Sequence, residues 1–140
     1  MQTVQREIGK SQNGFTSEDI AQSAFTVWAT CMGEPADWQT NADQMAWDRV
    51  ATKAIRLIDE NIEAEAAMSA MVFARDLFVI GYGPESRENW PLLDHRQQMV
   101  WNTIGRHIIN CLDAEAGSVN LQNMEQLSVS WFHNHVEETP

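Results

Sequence analysis

Two cysteines, Cys31 and Cys111, and a single tyrosine are all that this chain of 140 residues carries of either type. Two thiols are too few for a disulfide scaffold. Basic residues are scarce too: 9 Lys and Arg stand against 20 Asp and Glu, a formal charge of -11. That deficit excludes a binder of nucleic acid or of anionic membrane, both of which need a surplus of cations to neutralise phosphate. Apolar runs are short, none approaching the ~18–20 residues that span a bilayer. The first fourteen residues lack the apolar core of a signal peptide, so the expected setting is the cytoplasm. Gly-x-Ser-x-Gly elbows and glycine-rich phosphate loops are missing as well, and Gly81-Tyr82-Gly83 follows a helix signal, the wrong context for cradling phosphate. Strict alternation with β-branched residues is found nowhere, which removes strands from the expected fold.

What remains is hydrophobic periodicity at three and four residues. Residues 1–15 read as a flexible lead-in, and residues 16–136 as one helical domain. Thr16-Ser17, followed by Glu18 and Asp19, opens a helix whose stripe is Ile20, Ala24, Val27, Trp28 and Cys31, and Gly33 and Pro35 stop it. A second helix begins near Thr40, with Asp43 completing a variant capping box, and runs to about Asp59. Four acids follow (Asp59, Glu60, Glu63, Glu65). A third helix then carries Ile62, Ala66, Ala70, Phe73, Leu77 and Phe78 as far as Gly81 and Gly83-Pro84. After a polar loop over 85–89 and Trp90-Pro91, Asp94 opens a fourth helix, with Val100, Trp101, Ile104, Ile108, Cys111 and Leu112 on its apolar face. Asn120 caps a last helix over 120–135, carrying Leu121, Met124, Leu127, Val129, Trp131 and Phe132. The expected fold is an all-α bundle of about five helices.

The second and fourth helices match at an offset of 54 residues. Gln44-Met45-Ala46-Trp47 stands against Gln98-Met99-Val100-Trp101, then Val50 against Ile104, Ala51 against Gly105, Ile55 against Ile109 and Ile58 against Leu112. Upstream of each lies a glycine, a proline and a tryptophan: Gly33, Pro35 and Trp38, against Gly83, Pro84 and Trp90. The pattern is that of a duplicated helix, Gly/Pro/Trp loop and helix, with halves of about 17–59 and 62–113 packed as one core. Ile20-Ala21, Phe25, Gly33, Trp38 and Gln44 resemble the helical segment of small phage and prophage proteins that often precedes a ryanodine-receptor-type repeat. The likeness spans residues 20–58, and the second half lacks the Gly-Trp-x-Tyr-Gly and Leu-x-Pro-Tyr features of the repeat itself. It implies a mobile-element setting and no catalytic residue.

Groups that could carry chemistry are incomplete. Glu60 and Glu63 form the Glu-x-x-Glu of all-α nucleotide pyrophosphohydrolases, but no Glu-x-x-Asp faces them, and Mg²⁺ needs several convergent oxygens. His107 and Cys111 at i and i+4 could share a zinc ion, yet two ligands make no structural site. His133 and His135 suit the negative end of the last helix. Cys111 on an apolar stripe reads as a buried small hydrophobe. The expectation is therefore a protein without catalytic residues, bound metal or cofactor. Its acidic surface points to a host protein with a basic surface, as an inhibitor of a nucleic-acid-handling defence complex would need. The expected contacts are Asp59, Glu60, Glu63 and Glu65, with Trp38 and Trp90 as anchors. The alternative is a small-ligand or nucleotide binder using a Trp-lined pocket between the halves. Direct contact with nucleic acid or membrane is not expected.

Overall fold

The computed structural model describes residues 15–38, 43–63, 70–113 and 120–136. Five α-helices account for most of them: α1 (Ser17–Met32), α2 (Gln44–Glu63), α3 (Ala70–Tyr82), α4 (His95–Asp113) and α5 (Leu121–His135). A 3-10 helix, Pro84–Leu92, joins α3 to α4. No strand occurs among the described residues, and no helix is long and apolar enough to cross a membrane.

The helix starts follow from side-chain capping of orphan N–H groups. Thr16 and Asp19 form a reciprocal box at α1, each side chain accepting from the other's backbone N–H at 3.0 Å. Asp94 accepts from the Gln97 N–H at 2.8 Å, and Asn120 from the Asn123 N–H at 3.3 Å. The cap expected at Thr40 lies outside the described residues. Two boundaries differ from the sequence reading. Helix α2 runs on to Glu63, taking in Asp59, Glu60, Ile62 and Glu63. No glycine or proline interrupts it there, and glutamate is a good helix former. The segment expected as a polar loop over 85–89 is the 3-10 helix instead, started by Pro84 and by the Ser86 hydroxyl donating to the Gly83 carbonyl at 2.5 Å.

Helix α1 is more deeply buried than one stripe implies. Ala21, Ser23, Phe25 and Ala29 are enclosed along with Ile20, Ala24, Val27 and Cys31, because α2, α4 and α5 all pack on it. The remaining packing pairs α3 with α4, α3 with the 3-10 helix, α2 with α3, α4 with α5, and α2 with α4. Where α4 meets α3, Gly105 replaces a larger residue for a steric reason. A Cβ there would stand 3.0 Å from the Phe73 ring.

At the centre, Trp47 and Trp101 lie face to face, ring centroids 5.7 Å apart and planes 9° from parallel. Each is covered in the same way. Phe25 meets Trp47 edge-on at 6.0 Å and Trp38 at 5.8 Å, while Phe78 meets Trp101 edge-on at 5.8 Å and Trp90 at 5.5 Å. Gln44 donates its side-chain amide to the Trp38 carbonyl at 2.5 Å, and Gln98 does so to the Trp90 carbonyl at 3.0 Å. Trp28 adds a ring beside Trp47 and Tyr82 one beside Trp101. The contact thus joins the two tryptophans that the 54-residue offset matches in sequence.

Truncating either central indole leaves a cavity in a packed interior, so Trp47→Ala and Trp101→Ala should each cost ~3–5 kcal/mol. Because the rings touch, the double variant should lose less than the sum. Chemical denaturation of the four proteins measures this. Unchanged midpoints for both single variants would show that the stack does not join the halves.

Candidate functional site

Helices α1 and α3 stop at the same end of the bundle, and each stop uses a glycine with positive φ. Gly33 at φ 74 folds back its N–H onto Ala29 and Thr30, and Gly83 at φ 106 donates to the Val79 carbonyl at 2.7 Å. Side chains with a Cβ rarely adopt that backbone. The two connections leave large apolar groups in solvent: Met32 is 37%, Met45 76%, Tyr82 59% and Leu92 80% exposed. Tyr82 borders three adjoining hollows. One of about 100 Å³ is floored by Trp28, Trp47 and Trp101 with Asp43 at its rim. A second of about 60 Å³ lies between Trp28, Met32 and Leu93. An open one of about 540 Å³ reaches Glu85, Asn89 and Leu92.

Carboxylates ring this apolar ground. Glu34, Asp37 and Asp43 come from the first connection, Glu85, Glu88 and Asp94 from the second, and all six are exposed. Of the nearby cations, Arg96, itself exposed, donates to the Cys31 carbonyl at 3.3 Å and lies 5.0 Å from the centre of the Phe132 ring. Burial, then the charges of Asp43 and Glu34, raise the Tyr82 hydroxyl above its ordinary pKa. At Tyr82 the facing charges are those of Asp43 and Glu34, both negative, while Arg87 is exposed between Glu85 and Glu88 in the second connection. Aromatic faces and carboxylates together favour a cation, most of all a guanidinium or ammonium carried on an apolar stem.

The acids expected to form the contact are elsewhere. Asp59 is half-buried and Glu60 exposed near the end of α2, Glu63 is its last residue, and Glu65 lies outside the described residues. At 1.5 Å per residue, Asp59 stands about 22 Å along α2 from Gln44, the residue bonded to Trp38. The structure does not bring this group and the tryptophans into one site. Trp90, 9% exposed and packed on Phe78, is a core residue and not an anchor; Trp38 is half-buried on Phe25. The hollow between the halves is lined instead by Trp28, Trp47, Trp101 and Tyr82. The available signal was the recurrence of acids in both glycine–proline connections.

A second polar feature is internal. His107 is fully buried on α4, with Ser23 of α1 2.7 Å from Nε2 and Ser128 of α5 2.8 Å from Nδ1. The Ser23 hydroxyl donates to Glu125 at 2.7 Å. Its single proton is thereby engaged, so Nε2 carries the hydrogen shared with Ser23, and Nδ1 accepts from Ser128. Burial pushes the imidazole down to about 4, against a weaker opposite pull from the Met124 carbonyl. Cys111, 3.6 Å from Nε2, is pushed up to about 12 by burial and then by the Glu125 charge. Burial likewise raises Cys31 to about 12. Neither sulfur is a thiolate nucleophile at neutral pH. Among the described residues no three His, Cys, Asp or Glu groups converge as metal ligands. The network ties α1, α4 and α5 together.

Since the folded imidazole titrates near 4 and an unfolded one at 6.5, the native state binds its proton later. Stability is complete above 6.5 and falls as pH drops toward 4, by about 3 kcal/mol at 1.36 kcal/mol per unit. Glu125, raised by burial, works in the opposite direction and regains some stability as it protonates. His107→Gln should therefore flatten or reverse the slope of unfolding free energy between pH 6.5 and 4.5. A slope equal to that of the wild type would remove His107 as its source.

Compared with known proteins, the chain matches no family model, no curated protein and no solved structure.

Proposed function

We propose that this protein is a non-enzymatic interaction protein that docks a basic surface of a partner protein against the Tyr82 end of its bundle. The observation that carries the reading is the coincidence, at one end, of four exposed apolar side chains with six exposed carboxylates. A patch of that composition excludes water at its centre and selects for opposite charge at its rim. The net charge of -11 steers basic partners toward it. Surfaces built to hold nucleic-acid phosphates have the dense positive charge this face complements. Together with the resemblance of residues 20–58 to phage and prophage proteins, that favours a host nucleic-acid-handling complex as the partner and inhibition as the outcome. The hollow of about 100 Å³ among the indoles is well below the ~300–1,000 Å³ of small-molecule sites, which disfavours a nucleotide there.

Charge exchange tests the reading. Binding of a fluorescein-labelled arginine- and lysine-rich decapeptide, followed by anisotropy over a salt series, should weaken as salt rises. Replacing Glu34, Glu85 and Glu88 by Gln should weaken binding about tenfold at low salt and flatten the salt dependence. Asp59→Asn with Glu60→Gln should change little. Thermal stability should be retained in the first set, since isolated exposed acids contribute little. Identical salt curves for wild type and the first set would sink the proposal.

A further inference from the structure

Away from the Tyr82 end, α4 and α5 border a partly open cavity of about 400 Å³, with Phe73 of α3 in its lining and Arg106, Asn110 and Leu127 exposed to solvent. Its volume falls in the ~300–1,000 Å³ range of small-molecule sites. Met124, Leu127, Ser128 and Trp131 line it from one face of α5, and Thr103, Arg106, Ile109 and Asn110 from one face of α4. Leu127 belongs to the apolar stripe of α5 yet is 68% exposed at the mouth.

One cation serves this cavity, and it is held in place. The Arg106 guanidinium lies 4.5 Å from the centre of the Trp131 ring, and its Nε donates to Asn102 Oδ1 at 2.9 Å. Both contacts fix the plane of the fork while leaving its terminal amino groups without a carboxylate among the described residues. The hydroxyls at the wall are already engaged, Thr103 donating to the Met99 carbonyl and Ser128 meeting His107. The unmet polar capacity is thus that of Arg106, with the Asn110 amide beside it, above an apolar floor. A planar fork of N–H donors matches a carboxylate.

We infer that the α4–α5 cavity is a binding site for a small amphipathic carboxylate, its acid group on Arg106 and its apolar body between Phe73, Met124, Leu127 and Trp131. The occupant is independent of the partner surface at Tyr82, so either can fail without the other. Indole-3-propionate and octanoate serve as probes, each paired with its neutral carboxamide. Titration followed by ¹H–¹⁵N correlation NMR should give saturable shifts at the Trp131 indole N–H and the Arg106 Nε–H, with the backbone at Trp28 and Tyr82 unmoved. Each carboxamide should bind at least tenfold more weakly than its acid. Arg106→Gln should abolish that preference, and Leu127→Glu, at an exposed position the fold tolerates, should repel the acids and leave the amides bound. Absence of saturable shifts at 10 mM of either acid overturns the inference. Equal affinity for acid and amide, or an unaltered preference in either folded variant, does the same.

Discussion

The parallel contact of Trp47 with Trp101 is the constraint from which the rest of the architecture follows. Offset aromatic pairs contribute ~0.5–1.5 kcal/mol beyond the area they bury. Their larger effect here is geometric. Two flat rings 5.7 Å apart fix how α2 and α4 cross, and with them where each half places its preceding helix. Phe25 and Phe78 then fill the edges, and Trp38 and Trp90 close over them. Trp28 and Tyr82 are left at the margin of the cluster, beside the indoles and partly in solvent. The outer aromatic ground is thus an extension of the core, shaped by it.

Polar and apolar interiors divide the molecule. The aromatic cluster joins α1–α2 to α3–α4, whereas α5 is held by hydrogen bonds at its inner face as well as by Phe132. His107 receives a partner from each neighbouring helix, so its burial leaves no ring nitrogen unmet, the condition under which a buried polar group is tolerated. A network satisfied in that way specifies one register of α5 on α1 and α4. It also sets the outer face of α5, and so the mouth of the cavity that Arg106 overlooks.

Helix existence was readable because it rests on local chemistry. Thr16, Asp94 and Asn120 announce their helices by short-range bonds that need no partner element. The end of α2 was misread because a run of acids has no breaker in it, and charge density alone does not stop a helix. The site was less legible for a different reason. Tyr82 and Trp28 matter because two helix ends from distant parts of the chain arrive together, and no local pattern records that arrival. A loop tryptophan beside a proline fits either an interface anchor or a lid over the end of the core, and only the packing of Trp90 on Phe78 decides for the lid. The acid-to-acid match between the two connections was present in the sequence, but it was masked by the denser group at Asp59.

The carboxylates at the Tyr82 end differ in what the fold asks of them. Asp94 caps α4, and Asp43 stands at the rim of the indole hollow. Glu34, Glu85 and Glu88 are exposed and their side chains make no hydrogen bond among the described residues, and the backbone beneath them is set by Gly33, Gly83 and the two glutamine–tryptophan bonds. Their charge can be lost, moved or reversed without disturbing a helix. The acidic rim can therefore be revised residue by residue while the indole scaffold that presents it stays fixed.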